Sequence, residues 1–280
     1  MLPAGKVVEI LFEQWFELKV TPFTREIPVQ QLFLTKAHRE ALSRLRYTAE
    51  RRQVMMLTGD PGVGKSTILR RLKHELDPTT YEVFYLNQAG ATFYSFYDEI
   101  LSHLRLEAPY NNAKARALVA KALLERFQIQ HRTPVLLLDE ANEMPDALFD
   151  TVRGLLNYDY DAFSPFTLVL IGTRRLAGRL ALQKHEALAG RIHMISHLNA
   201  FSQEETMTYV QHHLEIAGAG RPIFTEAALR KLHLANGGNS RAINKTATLC
   251  LMSAALAKLK LIDEDLVNQI IATEAAQPEL

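Results

Sequence analysis

The chain has 280 residues, enough for one full domain with ample core and a smaller second one. Its hydrophobic content of 48% is that of a folded soluble protein. The 32 Lys+Arg against 31 Asp+Glu leave a formal charge of +1, which excludes a chain whose whole surface is built for nucleic acid, so any such contact must be local.

At the N-terminus, MLPAGKVVEILFEQWFEL carries Glu9, Glu13 and Glu17 where a signal peptide needs an unbroken apolar core. No apolar run of the chain approaches the roughly 18 residues of a membrane span. A soluble, cytoplasmic protein with no membrane partner is therefore expected. The next segment, WFELKVTPFTREIP, is aromatic and punctuated by proline, and reads as an arm packed over a sheet edge. Thr35 is placed to cap a helix running to about Arg52, with Ala37, Ala41, Leu42, Leu45 and Ala49 as its inner face.

Extended runs follow at residues 53–58, 81–86, 134–138, 166–171 and 192–196, with helical patterns in the gaps. That alternation predicts a parallel five-stranded α/β sheet with right-handed crossovers. After His197 the strands stop. FSQEETMTYVQHHLEIAG opens on a capping box, Ser202 with Glu205, and closes at Gly218. FTEAALRKLHLANGG has Thr225 as its N-cap, Phe224 and Leu229 spaced as a hydrophobic staple, and Gly237 at its end. Two more helices, at residues 241–259 and 263–273, complete a helical C-terminal lid. The lone cysteine, Cys250 in ATLCLMSAALA, excludes a disulfide framework and reads as a small core residue in a reducing compartment.

The chemistry sits at strand ends. LTGDPGVGKSTILRRL places Gly59, Gly64, Lys65 and Ser66 in the spacing G-x-x-x-x-G-K-[ST] between an apolar strand and a helix. Glycines let successive backbone N–H groups turn toward phosphate oxygens, and the helix N-terminus adds its positive dipole end. Gly59, Asp60, Pro61, Gly62, Val63, Gly64, Lys65, Ser66 and Thr67 are thus the candidate nucleotide cradle, with Lys65 reaching the β- and γ-phosphates and Ser66 offering a hydroxyl to Mg²⁺. Downstream, PVLLLDEANE ends a buried strand on Asp139 and Glu140. Asp139 is the second candidate for the Mg²⁺ shell, and Glu140 the candidate to orient and deprotonate a water, which favours ATP hydrolysis over transfer to an acceptor. The bland alternatives are a glycine-rich turn that binds nothing and carboxylates that only cap the next helix.

A P-loop core with a helical lid, and GNSR at a lid helix start, resembles the AAA+ ATPases. WFELKVTPF, LFLTKAHREALSRL, LLLDEAN, VRGLLNYD, LVLIGT, ALAGRIHMISHLNAFSQEET, IFTEAAL and NGGNSRAIN are similar to the ExeA-type family almost end to end. That family includes secretion-associated ATPases and partners of transposases akin to TniB, TnsC and MuB. The resemblance implies an arm at residues 1–34, an ATPase core at 35–197 and a lid at 198–280. It also implies Thr173 as sensor 1, where many relatives have Gln, Arg191 as the arginine reaching a neighbouring subunit's nucleotide, and Arg241 as sensor 2. Each arginine has a structural alternative, as a surface residue before a strand or at a helix start. Asn142 replaces the Gln or His common in relatives and is expected to couple the acidic pair to subunit contacts.

Secretion-linked relatives add a membrane span and a wall-binding region, and the absence of both before Leu280 favours the transposition branch. There the resemblance implies rings or helical filaments of ATP-bound subunits on double-stranded DNA, a transposase partner, and disassembly on hydrolysis. Lys36, Arg39, Arg44, Arg46, Arg51 and Arg52 make one basic face and Arg174, Arg175 and Arg179 another, although such faces are more often solvated than bound. Thr92, Tyr94, Lys114 and Arg116 fall where AAA+ rings line their channel, so these with Arg174 and Arg175 are the candidate DNA contacts. Phe93, Phe96 and Tyr97 accompany Tyr94, with packing as their other use. A secretion-accessory ATPase and a small-molecule kinase remain as alternatives, the kinase opposed by Glu140 beside Asp139.

Overall fold

The computed structural model describes residues 11–158 and 162–275; Glu9 and the end of VRGLLNYD at Asp159 lie outside them. In chain order the helices are α1 (Phe12–Trp15), α2 (Lys36–Arg51), α3 (Lys65–Glu75), α4 (Phe93–His103), α5 (Asn112–Gln128), α6 (Asp146–Leu155), α7 (Arg174–Leu180), α8 (Glu186–Ala189), α9 (Gln203–Ile216), α10 (Glu226–Asn236), α11 (Ser240–Leu256) and α12 (Glu264–Ala275). The strands are β1 (Val54–Gly59), β2 (Tyr81–Asn87), β3 (Thr133–Asp139), β4 (Thr167–Gly172) and β5 (Ile192–Leu198). None of the described helices is long and apolar enough to cross a membrane.

Two units form. One is Leu34–Asn199; the other joins the described residues up to Phe33 to those from Ala200 onward. In the first, the strands pair in parallel in the order β2-β3-β4-β1-β5. β1, β3 and β4 are buried throughout because helices cover both faces, which is why their sequences are continuous apolar runs rather than alternating ones. Alternation along each strand splits the core: Met56, Leu138 and Leu170 face one cluster with Phe96, Phe149 and Val119, while Leu57, Leu137 and Ile171 face another with Leu45, Ile68 and Leu72.

Helix α2 starts at the expected Thr35 cap, and Arg52 ends it in the left-handed region (φ 52°). Its inner face differs in part: Ala37 is exposed, and His38 and Thr48 join Ala41, Leu42, Leu45 and Ala49. The first turn is set by a capping box in which His38 takes the N3 position, and that draws its ring inward.

The second unit is built by the two lid caps read from sequence, Ser202 with Glu205 and Thr225, and by Gly237 in the left-handed region at the end of α10. The aromatic arm differs from expectation. Instead of covering a sheet edge, Phe12, Phe16 and Phe23 pack into the lid core with Val210, Leu214, Leu251 and Val267. Trp15 Nε1 donates to Leu259 O at 2.7 Å, and the Lys260 ammonium sits 4.0 Å from the Trp15 ring centroid. An apolar arm must be covered, but its sequence does not say by which element. Cys250 is fully buried in this core, and burial pushes its thiol up to about 12, so it is inert.

His213 is buried between Phe23, whose ring stacks at 5.4 Å, and Tyr209 at 4.4 Å. Burial, then the neighbouring His212, pushes its pKa down to about 4. The folded unit holds the imidazole neutral, so below the ordinary value near 6.5 the unfolded chain binds the extra proton. The stabilisation is complete above about pH 6.5 and is lost as pH falls toward about 4, a loss of order 3 kcal/mol. Urea titrations at pH 7.5 and 4.5 should show that drop, and His213→Phe should flatten it.

Candidate functional site

The parallel register brings the ends of β1, β3 and β4 to one edge of the first unit, and the loops leaving them carry the predicted residues. β1 ends at Gly59, beside Leu198 of β5, and the chain turns through Asp60–Val63 into α3. Gly64 is the N-cap at φ 96°, a conformation that a side chain would strain, and its α-carbon backs onto the His38 ring, leaving a Cβ only 2.8 Å from Nε2. The Lys65 ammonium folds back over the loop, donating to Gly59 O at 2.6 Å and Asp60 O at 3.2 Å. Ser66 is exposed on the first turn of α3, followed by half-buried Thr67, and Pro61 and Gly62 form the lip of the loop. A glycine cradle, a helix N-terminus and a lysine tucked inside it fit a polyphosphate.

Asp139 ends β3 with its carboxylate buried and both oxygens held. The Tyr85 hydroxyl donates to Oδ2, and Glu140 N–H donates to Oδ1 at 2.9 Å. Burial and then this bond push the Tyr85 phenol well above its ordinary range, so it remains a donor at neutral pH. Glu140 itself is exposed and sits at φ 54°, a left-handed conformation uncommon outside glycine and concentrated at functional sites. An oriented Asp139 and the Ser66 hydroxyl supply oxygen donors suited to Mg²⁺.

Thr173 follows β4 and N-caps α7 by its backbone, while its Oγ1 is buried with no partner among the described protein atoms. Its N–H donates to Asn142 Oδ1 at 2.8 Å, and Asn142 Nδ2 donates to Glu143 Oε1 at 2.8 Å. Asn142 thus couples the acidic loop to the end of β4 within one chain. Gly172 leaves room for it: a Cβ there would lie 2.5 Å from Asn142 Oδ1.

Arg191 stands just before β5, at the edge of the sheet opposite the P-loop, with Nη2 donating to Asn157 Oδ1 at 2.7 Å. Six residue steps of strand separate the two edges, about 20 Å, farther than an arginine reaches. The structure therefore does not bring Arg191 to its own chain's P-loop. Arg241 is exposed on the first turn of α11 in the second unit, where Asn239 caps its N–H.

The proposed DNA contacts are dispersed in their partners. Thr92 caps α4 with Ser95, Tyr94 is exposed with its ring 6.4 Å from that of Tyr110, and Lys114 is exposed. Arg116 donates to Gly154 O at 3.3 Å. Arg174 turns to the P-loop mouth, pairing with Asp60 at 3.8 Å and Asn199 at 3.0 Å, whereas Arg175 is largely exposed. Phe96 and Tyr97 are core residues, and Phe93 is partly exposed.

Arg179 does not belong to a basic patch. It donates to Asn142 O at 2.8 Å and Met144 O at 2.6 Å, pairs with Asp146, and lies 4.8 Å over the Phe149 ring. Asp146, held well below the usual carboxylate range by hydrogen bonds from Lys184, Arg179 and His185, thereby anchors the acidic loop. On α2, Arg39 and Arg44 donate to Leu34 O and Ile195 O and Arg46 pairs with Glu75; just past it, Arg52 bonds Ser164 O over the Phe127 ring. Charge counting along sequence does not reveal these partners. Tyr85 was legible only as part of a strand; the register Asn87↔Asp139 is what places it, two residues back on the same face, beside that carboxylate.

A family model described as an AAA domain matches residues 47–180. General secretion pathway protein A of Aeromonas hydrophila is 31% identical over 249 residues, covering 87% of this chain and 45% of that protein, so the chain spans less than half of this relative. Among solved structures, Cdc6p from Pyrobaculum aerophilum matches with a TM-score of 0.70 at 17% identity, over 92% of this chain and 71% of that one. Aeropyrum pernix ORC1, solved in complex with DNA, matches at 0.66 and 15%, over 90% and 68%. The Thermotoga maritima RuvB branch-migration motor matches at 0.59 and 18%, over 86% and 70%. At these identities the solved structures share the fold alone.

Asn142→Ala leaves the Thr173 N–H without its acceptor and should cost about 2 kcal/mol in urea unfolding. Gly172→Ala should be costly alone yet milder in the Asn142→Ala background. Additive costs in the double-mutant cycle would contradict the contact.

Proposed function

We propose that this chain, which has the P-loop AAA+ fold with an AAA domain across residues 47–180, is an ATPase that assembles with copies of itself and uses ATP hydrolysis to part them. The observation that carries the reading is the separation of Arg191 from its own P-loop. A site with cradle, acidic pair and polar strand end in one chain, and its arginine at the opposite edge, is complete only when another copy supplies that arginine.

In this reading the P-loop amides and the α3 dipole bind the phosphates, and Lys65 leaves the Gly59 and Asp60 carbonyls to reach the β- and γ-oxygens. Ser66 and Asp139 would hold Mg²⁺, which when bound neutralises charge on those oxygens. Tyr85 and the Glu140 amide keep the Asp139 carboxylate oriented, and the Glu140 carboxylate orients a water and accepts its proton. Thr173 contacts the γ-phosphate or that water. Arg191 of a neighbouring copy stabilises charge on the transferring phosphoryl group, and Arg241 links the lid unit to the nucleotide state.

For the partner, the 31% identity to General secretion pathway protein A supports service to a secretion apparatus better than partnership with a transposase. Duplex-DNA binding in the transposition manner is the second reading, favoured by the exposed Tyr94 and Tyr110 rings with Lys114 nearby in sequence.

Lys65→Ala should abolish nucleotide binding and ATP-dependent association in sedimentation, and Glu140→Gln should hold the assembled state while stopping turnover. Arg191→Ala and Glu140→Gln should each be inactive, yet an equimolar mixture should regain up to about a quarter of wild-type turnover, because one interface in four pairs an intact Glu140 with a donated Arg191. No recovery, with both variants still able to associate, rejects the shared site. Turnover rising with duplex DNA and falling steeply with salt selects the DNA reading; indifference to DNA supports the secretion reading.

A further inference from the structure

The capping box of α2 uses a histidine where Glu or Gln is usual, and the reason lies in what the second ring nitrogen does. Thr35 N–H donates to His38 Nδ1 at 3.2 Å, and His38 N–H donates back to Thr35 Oγ1 at 3.2 Å. A backbone N–H can only donate, so Nδ1 is the acceptor and the ring hydrogen is on Nε2. Nε2 lies 2.9 Å from Val63 O, a carbonyl that can only accept, and the network therefore assigns the Nε2–H tautomer. The same ring closes against the α-carbon of Gly64. His38 is 2% exposed and Val63 is 2% exposed, so both ends of this bond are shielded from water.

We propose that His38 is a positioning residue of the nucleotide site: its imidazole ties the start of α2 to the P-loop carbonyl of Val63, holding the loop backbone, and hence the amides that follow it, in the phosphate-binding arrangement. This rests on the reading of the P-loop as the nucleotide site. Glutamate would satisfy the cap equally well but has no hydrogen to give Val63, and its charge would face a carbonyl. Imidazole accepts on one side and donates on the other through a rigid ring, with no rotamer freedom between the two bonds. A loop held in advance loses less entropy on binding phosphate, which appears as affinity rather than as fold stability.

Two variants break the tie in opposite ways. His38→Asn keeps an acceptor where Nδ1 was, and so keeps the cap, but cannot reach Val63. His38→Phe keeps the ring against Gly64 and loses both bonds. His38→Gln carries an acceptor and a donor on one planar group. In equilibrium titration of the full chain with a fluorescent ATP analogue at 20 °C, Asn and Phe should each raise Kd about fivefold to tenfold, the size expected for one buried hydrogen bond, while Gln should stay within about twofold of wild type. Urea midpoints, recorded in parallel, should not follow that order, because Asn retains the cap and Phe does not. Wild-type affinity in either Asn or Phe overturns the positioning role while leaving the nucleotide site intact. Failure of the wild-type chain itself to bind the analogue overturns the nucleotide reading and this inference with it.

Discussion

Parallel pairing of β3 with β4, and of β4 with β1, is the constraint on which the rest depends. Parallel hydrogen-bond ladders force every strand to point the same way, so the C-terminal ends of all of them open onto one edge. Gly59, Asp139 and Thr173 are far apart in sequence, yet the register Leu57↔Ile171 and Leu138↔Leu170 leaves them no other edge to occupy. The same constraint puts Arg191, which precedes a strand, at the opposite edge.

On that edge Asp139 and the loop that follows are held by neighbours rather than left to sample orientations. Asp139 is fixed through both oxygens, by a phenol on β2 and an amide one residue on. The loop after it is fixed through Asn142 to β4 and through Arg179 and Asp146 to α6 and α7. The bonds to Asp139 and Asn142 satisfy groups that are buried and would otherwise be costly, so there the rigidity of the site and the satisfaction of its hydrogen bonds are one requirement. His38 extends this pattern to the P-loop, where a backbone carbonyl, not a side chain, is what is held.

The second unit follows a different economy of contacts. Helices α9, α10 and α11 each begin on a side-chain cap, and the aromatic arm completes their core, with Phe12, Phe16 and Phe23 covering apolar surface on the helices after Phe201. Chain segments at opposite ends of the sequence thereby fold as one body. Its buried His213, held neutral between two aromatic rings, ties the stability of that body to pH.

Local signals were enough for much of this. Continuous apolar runs marked β1, β3 and β4, because fully covered parallel strands need them, while the partly exposed β2 and β5 carry mixed sequences. Thr35, Ser202 and Thr225 marked helix starts, because their side-chain oxygens accept from the otherwise unpaired first amides of a helix. The P-loop and the Asp139–Glu140 pair were legible because their spacing is dictated by bond geometry within a few residues. Tertiary structure alone decided what depends on partners distant in sequence: the arm's burial in the lid core, the bonds of Arg179 to the acidic loop, Tyr85 on Asp139, Asn142 on Thr173, and His38 on Val63. A sequence states which groups must be buried or bonded, whereas the partner is chosen by which segments the sheet register and helix packing bring within 3 Å, and that distance is set by the whole fold.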